Sequence, residues 1–144
     1  MRNPLVSKIP TPEAQGPGSF IEFRRFTYGE GKAIRAEIDR IVEERRVATN
    51  ALLEVDPITE KDRRAALQET ASKASQALDA LLWREIFDRL EGWNWKDGEG
   101  RDLQLPKQES ELDTYTQEEV DFLLEAIGKA IRGELDRSPE EQKN

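Results

Sequence analysis

The sequence predicts a mainly α-helical protein, built from an antiparallel helical hairpin, a C-terminal helix and a small β element of two or three strands. The main observation is that three helix-start signals are each followed by apolar residues at intervals of three and four. The second is an aromatic, glycine-bounded stretch between the second and third helices. The third is that charged and hydrophobic residues each make up 36% of the 144 residues, which predicts one domain with a thin core. Such a core suits long, half-exposed helices or a subunit that completes its core against a partner.

The first helix is predicted to begin at a capping box over residues 27–30. The Thr27 hydroxyl can accept from the third helical amide while Glu30 reaches back to the start of the helix. The helix should end near Glu54, because the residue before Pro57 avoids the helical conformation. Its apolar stripe contains Ile34, Ile38, Ile41, Val42, Val47, Ala48 and Leu52.

The second helix is predicted to run from about Glu60 to Glu91, after a start signal at Thr59 with an acidic first turn. Gly92 holds the place of a C-terminal glycine and is expected to be left-handed. The predicted buried stripe contains Ala66, Leu67, Thr70, Ala71, Ala74, Ala77, Leu78, Leu81, Leu82, Ile86 and Leu90. Its alanine-rich first half allows close approach of a neighbour, so the short connection predicts an antiparallel hairpin. No sustained heptad is recognised.

The β element is predicted around a turn at residues 97–100, which contains two glycines and two acidic residues. Residues 93–95 and 101–105 should form its two short strands. Residues 19–26, with an aromatic at every third position, would add a third strand. Because a two-stranded ribbon is only marginally stable, the element must pack on the helices.

The third helix is predicted to follow a polar linker, residues 106–114, that contributes nothing to the core. Thr116 and Glu119 form its capping box, and Gly133 ends it. Its apolar stripe contains Val120, Leu123, Leu124, Ile127 and Ile131.

The chain is predicted to have three parts. Residues 1–18 contain four prolines and two glycines and are expected to form a flexible arm outside helix and sheet. This arm is either a disordered leader or an extended segment that orders on a partner. Residues 19–132 form a single helical domain, and residues 133–144 form a flexible acidic tail.

The formal net charge of −8 is concentrated in residues 109–144, where eleven acidic residues accompany four basic ones. This distribution argues against nucleic acid as the main ligand, since phosphate binding needs a basic surface. It fits either a solvated face or a basic protein partner. No apolar run approaches the roughly 18 residues of a membrane span. We therefore expect a cytoplasmic protein with no membrane partner.

The residues on which most catalytic and metal sites depend are missing. The chain has no Cys and no His, and it contains neither a phosphate-binding loop nor a nucleophile elbow. Asp97, Glu99 and Asp102 lie in a loop too short for calcium. Glu118 and Glu119 are explained as charges at a helix N-terminus. We expect a protein that is not an enzyme, with no catalytic residue, metal, cofactor or small-molecule substrate.

The candidate partner-binding residues are four aromatics: Trp83, Phe87, Trp93 and Trp95. The first two add bulk beside the stripe of the second helix, and the last two share one strand face with Asn94 outward. They are either structural anchors of the β element or an aromatic binding patch, since tryptophan is enriched at interface hot spots. A chain this poor in apolar residues has little interior for all four. We therefore expect association here, with a second copy or with another protein.

Short motifs then indicate a family. They are Trp93-Asn94-Trp95, the acidic glycine turn at 97–100, Leu103-x-Leu105-Pro106 and Thr116-x-x-Glu119 opening an apolar helix. Together they resemble the C-terminal part of small, chaperone-like tail-assembly proteins of long-tailed bacteriophages and prophages. Residues 23–30 resemble the strand-to-helix segment of such proteins, so the resemblance covers about residues 20–132.

The resemblance implies a non-enzymatic phage tail morphogenesis protein that binds the tape-measure or tail-tube protein during assembly. It would act in the cytoplasm of an infected or lysogenic bacterium, or remain in the virion if it is structural. The alternative is a generic helical interaction module, such as a regulator that binds through its helical hairpin. Neighbouring genes separate the two: a tape-measure gene just downstream favours tail assembly, and an isolated operon with a regulator favours the module.

Overall fold

The computed structural model describes residues 5–135, and most of this segment is helical. In chain order the elements are β1 (Val6–Pro10), α1 (Pro12–Gln15), β2 (Phe20–Arg24), α2 (Tyr28–Leu52), α3 (Lys61–Arg89), β3 (Leu90–Trp93), a 3-10 helix (Glu109–Thr114) and α4 (Gln117–Ile131). The predicted mainly α fold with a small β element is confirmed. The chain forms two compact units, one of residues 32–81 and one of the described residues on either side of them. No helix within residues 5–135 has the length and hydropathy needed to cross a membrane.

Two of the predicted helix starts have the predicted capping geometry. At α2 the main-chain N–H of Glu30 donates to Thr27 Oγ1 (3.2 Å), and the N–H of Thr27 donates to Glu30 Oε1 (2.9 Å). At α4 the same two bonds join Thr116 and Glu119, at 3.2 and 2.8 Å. Each box satisfies amides that have no acceptor inside their own helix.

Residues 32–81 form the predicted antiparallel hairpin, with a narrow apolar seam. A run of buried or half-buried positions on each helix alternates at intervals of three and four, the spacing of a coiled coil. The run contains Ile34, Ile38, Ile41, Arg45, Ala48 and Leu52 on α2, and Leu67, Ala71, Ala74, Leu78 and Leu81 on α3. Arg45 interrupts the apolar pattern of α2, which is why the heptad is hard to recognise in the sequence.

The predicted stripes of the hairpin were too wide. Val47 on α2, and Ala66, Thr70 and Ala77 on α3, are exposed. The physical reason is that a two-helix seam covers little more than one row of positions on each helix, whereas a helix in a larger core buries a broader face. These side chains therefore lie on the surface of residues 32–81.

The sheet has the strand order β1-β2-β3, and both pairs are antiparallel. Ile21 and Phe23 of the central strand have no exposed surface, and neither do Ile86, Leu123 and Ile127. The core of this unit is therefore formed by one face of β2, the end of α3 and the apolar stripe of α4.

The description of residues 1–18 as an arm outside helix and sheet was wrong, because β1 and α1 lie within them. Pro10 is the last residue of an edge strand, and Pro12 lies in the first turn of α1. Both are places where a missing N–H is tolerated. Between them, the N–H of Thr11 donates to Ser19 O (2.9 Å). Residues 1–4, and residues 136–144 of the predicted tail, lie outside the described residues.

The strand pairing near the tryptophans also differs from the prediction. The N–H of Leu103 donates to Trp95 O (3.0 Å) beside an isolated bridge between Lys96 and Asp102, but residues 93–95 and 101–105 form no two-stranded ladder. Instead β3 continues directly from α3 and pairs with β2, which buries Leu90. Gly92 therefore lies in a strand and has no positive φ.

The segment at residues 106–114 is not a linker without core residues. Pro106 and Leu112 are both buried, and a 3-10 helix occupies most of the segment. The prediction was wrong because the surrounding charged residues gave it no apolar periodicity. Leu112 is the buried residue of the 3-10 helix, and a single apolar residue gives no periodic signal in a sequence.

Ser7 provides a test of the unexpected strand β1. Its side chain is 1% exposed, and its Oγ has no hydrogen-bond partner among the described residues. An unsatisfied buried hydroxyl is unfavourable, so Ser7→Ala should leave the free energy of unfolding unchanged or raise it by up to about 1 kcal/mol. Ser19→Ala is the matched control, because the Ser19 hydroxyl bonds to Thr11 and Gly16, and its loss should cost about 1 kcal/mol. Chemical denaturation measures both, and a clear loss of stability in Ser7→Ala would contradict the burial of β1.

Candidate partner-binding site

The four predicted aromatics form two separate stacked pairs. Trp83 and Phe87 stack with ring centroids 5.7 Å apart, and Trp93 and Trp95 stack at 4.4 Å with an interplanar angle of 8°. In each pair one ring is buried, Trp83 at 8% exposure and Trp95 at 1%, while its partner is half-buried. Each pair therefore has an inner ring that belongs to the core and an outer ring that reaches the surface.

Trp95 is fixed by a buried polar contact as well as by packing. Its Nε1 donates to Thr11 Oγ1 (3.0 Å), and Thr11 Oγ1 donates to Ser19 Oγ (2.7 Å). Phe122 of α4 meets the Trp95 ring edge-on at 6.5 Å. Because a buried indole N–H needs an acceptor, Thr11 is as much a part of this anchor as the ring itself. The position of Thr11 in a proline-rich segment gave no sequence signal for this role.

Trp93 forms the outer ring of the second pair. Its Nε1 donates to Leu103 O (2.7 Å), which fixes the orientation of the indole. Tyr115 meets it at 6.1 Å with a tilt of 47°. The side chain of Asn94 points away from the pair and bonds to Phe20 and Gly18, so the predicted division of faces is confirmed.

This geometry divides the predicted patch. Trp83 and Trp95 are core residues of the isolated chain and present almost no surface to a partner. Phe87 and Trp93 retain part of their surface and can contact one. Association through these aromatics stays a prediction. If it occurs, the partner would contact Phe87 and Trp93, the two outer rings.

Tyr115, which meets Trp93, and the bonded pair Gln15 and Glu119 were not predicted as site residues. Gln15 Nε2 donates to Glu119 Oε2 and to Lys96 O (2.9 Å), and Gln15 Oε1 accepts from the N–H of Lys96 (2.8 Å). This one side chain joins α1, the turn after β3 and the start of α4. The capping box of Glu119 was the only sequence signal for any of the three.

An open cleft of about 810 Å³ lies beside these residues. Its walls are α1, the turn at residues 96–101 and the junction of the 3-10 helix with α4. The polar lining includes Gln15, Asp97, Arg101, Tyr115 and Glu119. The volume is in the range of ligand and peptide sites, but most of those are more apolar than this cleft.

The turn that forms one wall is built as the sequence predicts. Asp97 Oδ1 accepts from the N–H groups of Glu99 (2.8 Å) and Arg101 (2.9 Å), and Gly100 has a φ of +80°, which favours glycine. Main-chain N–H donation from Arg101 and Glu99 lowers the pKa of the Asp97 carboxyl. Arg101 also pairs with Asp97 Oδ2 (3.1 Å) and with Glu99 (2.9 Å), so its charge is compensated within the turn.

The phenol of Tyr115 is expected to titrate at a higher pH than an ordinary tyrosine. Burial, and after it the charges of Glu119 and Glu111, raises the pKa of the phenol from 10.0 to about 12. Because the pKa is higher in the folded state, folding favours the protonated phenol and gains stability from it. This gain is complete below pH 10.0 and is lost as the pH rises toward about 12. Phenolate absorbance should therefore show a step near pH 12 that Tyr115→Phe removes. Full ionisation near pH 10 in the wild type would contradict this placement of the ring.

Within residues 5–135 no group of three or more carboxylates is placed to hold a metal ion. No family model matches the chain, and no curated protein or solved structure shows significant similarity to it. Function is therefore inferred from the residues and geometry of this chain alone.

Proposed function

We propose that the protein is a non-enzymatic phage tail morphogenesis factor that binds the tape-measure or tail-tube protein during assembly, in the cytoplasm of the infected or lysogenic host. The observation that carries the proposal is that the motifs of the family resemblance converge. Trp93 donates to Leu103 O and meets the ring of Tyr115, while Leu103 and the capping box at Thr116 and Glu119 line the cleft. Residues from three of the C-terminal motifs thus lie at or beside one cleft.

The state of the polar groups in the cleft supports binding over catalysis. Glu119 is held by Gln15 and by the N–H of Thr116, and Arg101 is held by Asp97 and Glu99. A general base or nucleophile needs a partner that activates it and room to transfer a proton. Groups that are already bonded to one another are better suited to shaping a recognition surface.

Co-expression with the tail proteins of the same phage or prophage tests the proposal. The tape-measure and tail-tube proteins, each tagged, should be expressed in turn with this chain. We expect this chain to co-purify with one of them, and Trp93→Ala to weaken that association by at least about 2 kcal/mol, as loss of a hot-spot aromatic does. Leu53→Ala is the matched control, because that side chain is 84% exposed on the helical hairpin, outside the resembling motifs. Co-purification with neither protein would contradict the proposal.

A generic helical interaction module remains the second candidate, and one observation favours it. Leu53 and Ile58, in the connection between α2 and α3, are 84% and 77% exposed. Asp56 fixes this connection, since its Oδ1 accepts from the N–H groups of Ile58 (2.9 Å) and Thr59 (3.3 Å). Two large apolar side chains on an ordered turn could contact a partner. If Leu53→Ala and Ile58→Ala abolish association while Trp93→Ala does not, the module is the better description.

A further inference from the structure

The segment that supplies two walls of the cleft is acidic. Residues 94–121 contain nine acidic and three basic residues, and three of these acids, Asp97, Glu99 and Glu119, line the cleft beside Lys96 and Arg101. Two of the basic residues are already paired, Lys96 with Asp102 and Arg101 with Asp97 and Glu99. Asp97 and Glu99 are thus balanced by Arg101, and Glu119 is the carboxylate of the cleft lining that has no ion-pair partner among the described residues. The other acids of the segment add negative potential around it.

Glu119 is the most informative of these carboxylates. It lines the cleft and is only 6% exposed, yet among the described residues it has no Lys or Arg within ion-pair distance. Its oxygens accept from Gln15 and from the N–H of Thr116, which leaves part of their acceptor capacity unused. Burying a carboxylate without a counter-charge is unfavourable, so a cation supplied from outside would find a prepared partner.

Tyr115 is the aromatic residue that lines the cleft, and among the described residues no lysine or arginine stacks on its ring. Within the described part of the chain, cations lie over Phe20 and Phe26, where Lys8 Nζ is 4.1 Å and the Arg89 guanidinium carbon 3.5 Å from the ring centroid. Tyr115 lines the cleft, and Glu119 and Glu111 act electrostatically on its phenol. A ring face beside carboxylates attracts a lysine or arginine head group.

We propose that this cleft binds a basic segment of a protein partner, with a lysine or arginine side chain seated between Tyr115 and Glu119. The inference rests on the proposed role in partner binding and adds the chemistry of the partner. Charge complementarity selects the occupant: the carboxylates repel an acidic segment, and a purely apolar segment would cover Glu119 without supplying a counter-charge.

The test uses the full-length protein and two amidated, acetylated peptides of equal length, one of alternating lysine and glycine and one of alternating glutamate and glycine. Binding is measured by titration calorimetry at low and high salt. We expect the lysine peptide to bind and to lose affinity with salt, and the glutamate peptide not to bind. Tyr115→Leu and Glu111→Gln should each weaken binding about threefold or more. Glu111→Gln keeps an acceptor for the N–H of Lys107, so it preserves the local fold.

Tyr28→Leu and Glu54→Gln are the matched controls, since both residues are exposed, and neither lines the cleft nor is among the charges that act on the Tyr115 phenol. They should bind the lysine peptide as the wild type does. Equal binding of both peptides, equal loss in the controls, or no peptide binding at all would overturn the inference. Each of those results leaves co-purification with a tail protein unaffected. Loss of co-purification with intact peptide binding would instead count against the tail function alone.

Discussion

Replacing Trp95 by alanine should lower the free energy of unfolding by about 3 to 5 kcal/mol, the usual effect of removing a fully buried aromatic side chain. The ring is 1% exposed, stacks on Trp93 at 4.4 Å and is met edge-on by Phe122. Its removal also deprives Thr11 Oγ1 of the indole donor. Urea denaturation followed by circular dichroism measures the loss.

Trp93→Ala is the matched control for this prediction. Trp93 is the half-buried ring of the same pair, so its removal should cost clearly less stability while weakening association with the partner. The structure thus separates two residues that the sequence treats alike. If Trp93→Ala unfolds the protein as completely as Trp95→Ala, both rings are core and the interface assignment fails.

Arg89→Ala should destabilise the protein by about 3 to 5 kcal/mol, as breaking a buried ion pair does. The Arg89 side chain is 4% exposed and pairs with Glu85 (3.1 Å) and Glu30 (3.3 Å). Its Nη1 also donates to Arg25 O (3.1 Å), and its guanidinium stacks on Phe26. Truncation would remove all of these contacts and leave Arg25 O and the half-buried Glu85 carboxylate without this donor.

Arg40→Ala is the control for Arg89. Arg40 also pairs with two acids, Glu37 and Glu44, but its side chain is 61% exposed. Exposed pairs on a helix contribute only a few tenths of a kcal/mol, so this variant should melt close to the wild type. Similar melting temperatures for the Arg89 and Arg40 variants would contradict the prediction that the buried contacts of Arg89 stabilise the fold.

The helices were predictable from the sequence because their signals are local. The capping boxes at Thr27 and Thr116, and the stop at Gly133 with a φ of +71°, need only neighbouring residues. The width of the hairpin seam was not predictable in this way. The width depends on how many other helices or strands pack against each helix, and the apolar pattern of a sequence does not give that number.

The polar anchors of the site depend on contacts between distant parts of the chain. Thr11 meets Trp95 and Gln15 meets Glu119 across more than 80 residues. Prolines on both sides of Thr11 suggest a loop, although here they occupy a strand end and a helix start. The aromatic candidates were found because tryptophan is rare, but their division into inner and outer rings required the fold.

Hydrogen–deuterium exchange on the complex with the co-purifying tail protein tests the central claim most directly. Compared with the free chain, we predict slower amide exchange at residues 96–103 and 114–119, which form the cleft walls, and unchanged exchange at residues 47–65 of the hairpin. Protection confined to residues 47–65, with the cleft walls unchanged, would contradict the assignment of this surface as the partner-binding site.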